Sequence, residues 1–308
     1  MNPILPPEAV DFGTAADRAF AALGGVDAAR GAEVDPSSRS RAIAATLDGL
    51  GLRDIDPRAD ADTAAAAASL ARAAGRVALP YPVVPLMLAV GEHPLAVVPD
   101  SAIPIDHGDL FPRWAAVTIS GAGTTAEVSG GRLGSRLGPF VSYGSPGPPV
   151  SSPDVALHLT LTAWQILGTV ERALELAVQH VTGRIQFGKP ISSFQAVQFQ
   201  LADAAVAVDG LREMCTYALW RACSGPALVD ALAARLAALD AARLVLRTTQ
   251  QLHGAAGVCD EYDISVLIRH VQPSLRIPFG VERTATEMAA AVRADGFDSL
   301  FAHGAGAS

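Results

Sequence analysis

Two long stretches of the chain repeat apolar residues at helical spacing, and a polar segment containing glycine and proline separates them. In both stretches the apolar positions recur in steps of three and four residues, as in helices that bury one face. The first set is Ala163, Leu167, Val170, Leu174, Ala177 and Val181, and the second is Val197, Leu201, Ala204, Val208, Leu211 and Cys215. Lys189-Pro190 interrupts the pattern, because proline lacks a backbone donor and disfavours helical geometry in its predecessor. The pattern therefore predicts two antiparallel helices joined by a turn.

The connecting segment carries more chemistry than a turn requires. It places a guanidinium, two amides and two aromatic rings together, at Arg184, Gln186, Phe187, Phe194 and Gln195. The planar fork of arginine suits phosphate, and a neighbouring ring can cover a flat heterocycle. The alternative is structural: Arg184 caps the end of a helix and Phe187 lies in the core.

A second polar segment that contains glycines lies about 55 residues further on. It reads Gln251-Leu-His-Gly-Ala-Ala-Gly257 and is followed by Asp260-Glu-Tyr262 and by Arg269. Alone, its glycines indicate only a loop. Together, the two segments resemble the Arg-x-x-Phe-Gly-x-Pro-Ile-x-x-Phe-Gln signature and the Gln-x-x-Gly-Gly-x-Gly segment of acyl-CoA dehydrogenases. The resemblance covers residues 155–290, the C-terminal helical part of that family.

This resemblance implies a flavin cofactor and a set of residues that contact it. In the family, the two motifs touch the ADP part of an FAD that the neighbouring subunit mainly holds. Carried over, the cofactor-binding residues are Arg184, Gln186, Phe187, Gln195, Gln251 and Gly254. Ala255 stands where the family has its second glycine, and this difference alters how closely the backbone can approach the FAD.

Composition narrows the class of protein. The chain has 308 residues, 50% of them hydrophobic and 18% charged, which is typical of a globular protein with a large core. A net charge of −8 predicts no nucleic-acid partner and no basic membrane surface. Anionic ligands such as FAD or CoA would depend on local arginines and helix N-termini.

Cysteines and apolar runs predict a cytoplasmic protein. Cys215, Cys223 and Cys259 lack the spacing of a metal site and are interpreted as reduced core residues. The longest uncharged stretch, residues 77–91, is too short and too rich in proline to span a bilayer. No basic leader followed by an apolar run is visible at the N-terminus.

The order of elements predicts a mainly α, acyl-CoA dehydrogenase-like fold in three parts. These are an N-terminal helical domain (1–93), a shortened β-rich middle domain (94–150) and a C-terminal antiparallel four-helix bundle domain (151–308). Predicted helices cover 8–23, 37–50, 61–76, 153–182, 195–223, 227–252 and, with interruptions, 261–291; predicted strands lie near 95–98, 115–119 and 140–143; residues 302–308 are a predicted frayed tail.

The middle part departs from the family. It is about half the usual size and has no Thr-Glu-Pro-x-Ala-Gly-Ser-type loop, which in the family contacts the flavin ring. Trp114 is interpreted as a core residue rather than as the tryptophan that the family places against the flavin.

A catalytic carboxylate is missing from both positions where the family carries one. One position aligns with Pro278 and the other with His158, which lies among apolar residues of the first long helix. Oxidation of an acyl thioester needs a base for the proton next to the carbonyl, usually a glutamate. Glu282 and His158 are therefore the candidates for a relocated base.

Three hypotheses follow from these observations. The first resembles the smaller subunit of heteromeric, α₂β₂ steroid side-chain acyl-CoA dehydrogenases: a larger acyl-CoA dehydrogenase-like partner supplies the glutamate for an acyl-CoA substrate, with a steroid-CoA thioester among those suggested. The second is a homomeric enzyme that uses Glu282 or His158. The third is a flavin-free CoA-binding or interaction protein. The absent carboxylates count against the second, and the retained cofactor motifs count against the third.

Overall fold

Helices dominate the chain, and the predicted mainly α fold is confirmed. The computed structural model describes residues 5–128 and 136–295. Its helices are α1 (Pro7–Ala22), α2 (Val26–Val34), α3 (Ala42–Gly49), α4 (Ala61–Arg76), α5 (Val83–Met87), α6 (Val155–Gly183), α7 (Gln195–Ala222), α8 (Leu228–His253), α9 (Asp263–His270), α10 (Gln272–Arg276) and α11 (Val281–Asp295). Its strands are β1 (Leu95–Val97), β2 (Pro104–Ile105), β3 (Arg113–Val117), β4 (Ala122–Glu127), β5 (Ser142–Tyr143), β6 (Ser145–Ser151), β7 (Ile185–Gln186) and β8 (Lys189–Pro190).

The predicted C-terminal bundle is formed by α6, α7, α8 and α11. Helix α7 runs back along α6, and α8 runs back along α7, so that α6 and α8 end at the same end of the bundle. The apolar stripe predicted for α7 is buried at Ala204, Val208, Leu211 and Cys215. Helical periodicity therefore located α6, α7 and α8 to within about two residues of their observed ends, whereas the interrupted prediction over 261–291 gave the bounds of α11 less well.

Helix α4 crosses α6 with backbone against backbone. A Cβ atom on Gly75 would lie 1.9 Å from the carbonyl oxygen of Gln165, and one on Gly168 would lie 1.9 Å from that of Arg72. The Thr169 hydroxyl donates to the Gly75 carbonyl oxygen at 3.0 Å across the same crossing. Only glycine permits so close an approach at either position. The N-terminal helices and the bundle consequently share one hydrophobic core.

A small sheet joins the two helical parts. Its strand order is β1-β3-β4-β6, with β1 parallel to β3 and the remaining pairs antiparallel. Alternate residues of β3 face opposite sides, so that Ala115 and Val117 join the main core while Trp114 joins a smaller one. Trp114 is 0% exposed, and its Nε1–H donates to the carbonyl oxygens of Gly108 and Phe111. The interpretation of Trp114 as a core residue is confirmed.

Several local predictions are wrong. Cys215 is buried, but Cys223 and Cys259 are exposed, because Cys223 follows the last residue of α7 and Cys259 follows the 3₁₀ turn after α8. The predicted helix over 37–50 is divided into a 3₁₀ turn at Pro36–Ser40 and helix α3.

Two further predictions concern the C-terminal tail and membrane-spanning segments. The predicted tail at 302–308 lies outside the described residues. Within residues 5–128 and 136–295, no helix is both long and apolar enough to cross a membrane.

Glu33 fastens α2 to α9. Its carboxylate accepts hydrogen bonds from Arg269 Nε at 2.8 Å and Nη2 at 3.1 Å, and His270 Nε2 lies 2.6 Å from Glu33 Oε1. Burial alone would raise the pKa of Glu33, but the contacts with His270 and Arg269 outweigh it and lower the pKa to about 2. The ionised form is therefore the one that stabilises the fold.

Replacing Glu33 with glutamine is expected to lower the free energy of unfolding by about 1 to 2 kcal/mol at pH 7, allowing for solvent screening of a side chain that is 26% exposed. Because the folded pKa lies below the unfolded value, the stabilisation is fully present above pH 4.5 and is lost as the pH falls towards 2. Urea unfolding at pH 7 and pH 3 measures the effect, with Asp48→Asn in an exposed surface pair as control. An equal loss at both pH values would contradict this assignment.

Candidate functional site

A β-hairpin follows α6 and presents the first motif to solvent. Strands β7 and β8 pair Ile185 with Pro190 and Gln186 with Lys189. The two residues between them, Phe187 and Gly188, have φ values of 52° and 78°. Glycine adopts such values freely, but an aromatic residue there is uncommon and strained.

Phe187 does not occupy the core, so the structural alternative raised by the sequence is wrong for this residue. It is 89% exposed, and its ring meets the edge of Phe194 with centroids 6.1 Å apart. The ammonium of Lys189 lies 4.4 Å from the centroid of the Phe194 ring. The hairpin thus holds an exposed aromatic face beside a cation.

Arg184 stands at the C-terminal end of α6, where its backbone N–H donates to the His180 carbonyl oxygen at 2.9 Å. Its side chain is exposed, and within the described residues it forms no hydrogen bond or ion pair. A guanidinium free of intramolecular partners retains all its donors for an anion.

The second motif forms the end of α8. Gln251 lies in the last turn and is exposed, and Gly254 follows the helix with φ 61° and ψ −137°. That conformation requires glycine. A 3₁₀ turn from Gly254 to Val258 then leads away from the bundle, and Gln250 Nε2 donates to the carbonyl oxygen of Gly257 at 3.2 Å.

Two stacked histidines connect the motifs. The rings of His180 on α6 and His253 on α8 lie 4.5 Å apart at an interplanar angle of 27°. His253 Nδ1 lies 2.7 Å from the carbonyl oxygen of Thr249, which fixes the ring. Burial, followed by the nearby His253 and Arg184, lowers the pKa of His180. The stack holds the ends of α6 and α8 side by side.

All six predicted cofactor residues therefore lie at one end of the bundle. Gln195 opens α7, which begins at the end where α6 and α8 terminate. We call this group the clasp: Arg184, Gln186, Phe187, Gln195, Gln251 and Gly254. A free guanidinium, exposed amides, an exposed ring and a helix N-terminus fit the anionic and aromatic ADP end of FAD.

A cleft lies near the opposite end of α6. Its empty space is about 590 Å³, open mouth included. The polar residues that line it are Asp106, His107, His158, Thr162, Gln165 and Ser274, and Tyr81, Val84, Val97, Ile105 and Ile277 supply apolar wall. The two positions aligned with the family's glutamate meet here, because His158 and the neighbour of Pro278, Ile277, both line this cleft.

His158 is a poor base in this environment. Its Nδ1 is buried and forms no hydrogen bond within the described residues. Burial, followed by the positive charge of Arg235, lowers the pKa of His158 to about 4. Glu282, the other candidate, is exposed in the first turn of α11 and does not line the cleft.

Arg235 braces the turn that aligns with the family's other glutamate position. It is 1% exposed, and it donates to the carbonyl oxygens of Ser274 at 3.2 Å, Ile277 at 2.9 Å and Phe279 at 2.7 Å. Burial lowers its pKa to about 10, so it remains charged at neutral pH. Within the described residues it pairs with no carboxylate, and its positive field extends into the cleft.

Asp106 is a cleft carboxylate that the sequence motifs do not indicate. It follows β2, and one of its oxygens accepts the backbone N–H of His107 at 3.1 Å. Burial raises the pKa of Asp106 to about 7, against the opposing effects of the His107 N–H and of Arg39. No local pattern in the sequence could have located it, because the cleft is assembled from segments far apart in the chain.

Comparisons with known proteins agree with the fold and with both motifs. Residues 159–292 match the family described as acyl-CoA dehydrogenase, C-terminal domain. Acyl-CoA dehydrogenase IpdE2 of Mycobacterium tuberculosis is 33% identical over 117 residues, 38% of this chain. That match spans 36% of the length of IpdE2, about a third of the protein.

Solved structures resemble nearly the whole chain. The ChsE4-ChsE5 complex from Mycobacterium tuberculosis contains a chain that superposes with a TM-score of 0.77 at 18% identity, covering 96% of this chain and 100% of that one. A variant of the Tcur3481-Tcur3483 steroid ACAD gives a TM-score of 0.75 at 20% identity, covering 95% and 99%. At these identities the likeness concerns the fold. Residues 159–292 are thus similar to the C-terminal domain of acyl-CoA dehydrogenases, and the described residues of the chain adopt the fold of these solved structures.

Proposed function

We propose that the chain is a subunit of an FAD-dependent acyl-CoA dehydrogenase that desaturates an acyl-CoA thioester between its α and β carbons. In this proposal a larger acyl-CoA dehydrogenase-like partner, in an α₂β₂ assembly, holds most of the FAD and supplies the catalytic glutamate. The observation that carries the proposal is the separation of two sites: the clasp is intact and faces solvent, while the glutamate positions hold His158 and Pro278.

The clasp serves a cofactor held across an interface. FAD would supply the acceptor for the hydride that leaves the β carbon of the acyl group. Arg184 would hold its pyrophosphate, and Phe187 would cover a flat part of the molecule. Because these side chains point away from the core, they fit a ligand contributed largely by another subunit.

Two observations support a heteromer. The structures with similar folds include a complex of two named components, ChsE4 and ChsE5, and a steroid ACAD written with two names, Tcur3481 and Tcur3483. A steroid side-chain CoA ester is accordingly the first substrate to test. The alternative of a homomeric enzyme gains little from the geometry, because Glu282 lies outside the cleft and His158 has a depressed pKa.

Co-expression tests this proposal directly. The chain is purified alone and together with an adjacent acyl-CoA dehydrogenase-like reading frame, and the flavin absorbance and acyl-CoA oxidation of each sample are measured. Flavin and activity are expected only in the combined sample, because this chain lacks the loop that contacts the flavin ring. Yellow, active protein from the chain alone would reject the heteromer.

A further inference from the structure

The cleft contains a carboxylate in a setting typical of a proton-transfer group. The Asp106 side chain is 30% exposed, and one oxygen is committed to the His107 backbone N–H. Its other oxygen, Oδ2, lies 3.6 Å from His107 Nε2 and has no hydrogen bond among the described residues. The carboxylate therefore reaches the cleft with one oxygen available.

No lysine or arginine neutralises Asp106 within the described residues. The nearby cation, Arg39, is fully buried and pairs with Asp109 instead. Arg39 also donates to the Pro36 carbonyl oxygen and lies over the Phe140 ring, 4.1 Å from its centroid. A carboxylate that lines a cleft without a lysine or arginine partner keeps its basicity, as general bases do.

We propose that Asp106 is the proton acceptor of a second acid–base site, in this chain's own cleft, acting on the carbon next to the carbonyl of a CoA thioester. The choice of a CoA thioester as substrate rests on the proposed function, but the assignment of Asp106 as a base does not. This site is separate from the clasp, which lies at the other end of α6. The proposed base thus belongs to this chain, which has no carboxylate at either of the family's two glutamate positions.

The step needs no oxidant. Asp106 Oδ2 takes the α proton, the C–H bond breaks, and its electron pair moves to the carbonyl oxygen to form an enolate. The proton on Asp106 exchanges with solvent through the open mouth of the cleft and returns to the same carbon. Arg235, whose charge reaches the cleft, stabilises the negative enolate. The net result is exchange of α hydrogen with solvent.

The surroundings decide between Asp106 and His158 as the base. Burial raises the pKa of Asp106 to about 7 and lowers that of His158 to about 4, so that Asp106 is the stronger base of the two. A general base works best with a pKa near the operating pH. The titratable and charged groups around Asp106 come from three other parts of the fold and from its own loop: His107, Asp109, Arg39, His158 and His270.

Exchange in deuterated water tests the proposal on the full chain. Butanoyl-CoA is the probe: its dissociation constant is measured by calorimetry, and the loss of its α-hydrogen signal is followed by proton NMR. Wild-type protein is expected to accelerate the loss, and Asp106→Asn to slow it by about 10²- to 10⁴-fold while binding stays within a few-fold. The wild-type rate should rise with pH and level off above about 7, as Asp106 loses its proton.

A surface variant serves as the control. Asp100→Asn removes an exposed carboxylate that pairs with Arg283 outside the cleft, and it should leave exchange unchanged. Binding without wild-type exchange, no binding of butanoyl-CoA, or exchange by Asp106→Asn within a few-fold of wild type would each overturn the proposal. The outcome is independent of flavin content, so that a failed co-expression experiment rejects the heteromer without affecting Asp106.

Discussion

Replacing Arg184 with alanine is expected to weaken FAD retention by the assembled complex about ten- to a hundred-fold, while the isolated chain keeps its stability. A hydrogen bond to a charged group contributes roughly 1.5 to 3 kcal/mol, which corresponds to that change in affinity. The exposed guanidinium forms no hydrogen bond or ion pair within residues 5–128 and 136–295, so its removal breaks no internal contact. The flavin content after gel filtration and the melting temperature of the chain measure the two effects.

Two further variants separate cofactor binding from general charge. Arg184→Lys should recover only part of the affinity, because an ammonium keeps the charge but loses the bidentate fork. Arg243→Ala removes an exposed arginine from the surface of α8 and should leave FAD retention unchanged. If both Arg184 variants lower the melting temperature and leave flavin content intact, Arg184 is a structural residue and the clasp is wrong.

Replacing Arg235 with methionine is expected to lower the free energy of unfolding by about 1 to 3 kcal/mol. Methionine fills much of the same volume, but the carbonyl oxygens of Ser274, Ile277 and Phe279 would lose a buried donor. Leaving a buried acceptor unsatisfied costs about 1 to 3 kcal/mol. Urea unfolding at pH 7 measures the loss.

Lysine at this position provides the informative comparison. Arg235→Lys keeps the charge but spans fewer of the three carbonyl groups, so it should restore part of the stability. Arg243→Met, on the exposed face of the same helix, should change stability by less than about 0.5 kcal/mol. A loss below about 1 kcal/mol for Arg235→Met would show that the turn holds its shape without the arginine.

The long helices could be predicted because their signal is local. Each turn of α6, α7 and α8 repeats its apolar face, and Pro190 and Gly254 mark breaks in that repeat. Strand β6 lacked such a signal. Its seven residues include Pro146, Pro148 and Pro149, which resemble a loop in sequence, but an edge strand tolerates proline because one side of its backbone needs no donor.

The clasp could be predicted from the sequence, but the cleft could not. The clasp consists of two compact motifs, and helix direction alone brings their ends together. The cleft joins residues from at least four separate segments, so that neither Asp106 nor the brace formed by Arg235 has a linear signature. The left-handed backbone of Phe187 is likewise visible only in three dimensions, since an aromatic residue does not signal it.

The crossing of α4 and α6 at Gly75 and Gly168 limits how this fold can change shape. Helices that meet through side chains can slide as rotamers rearrange, but two backbones in contact have no such freedom. A displacement that accompanies a ligand is therefore expected outside this crossing, for example in the sheet and its loops, including the loop that carries Asp106. The crossing also limits divergence, because removal of α4 would uncover the α6 backbone at Gln165 and Gly168, against which the α4 backbone packs directly.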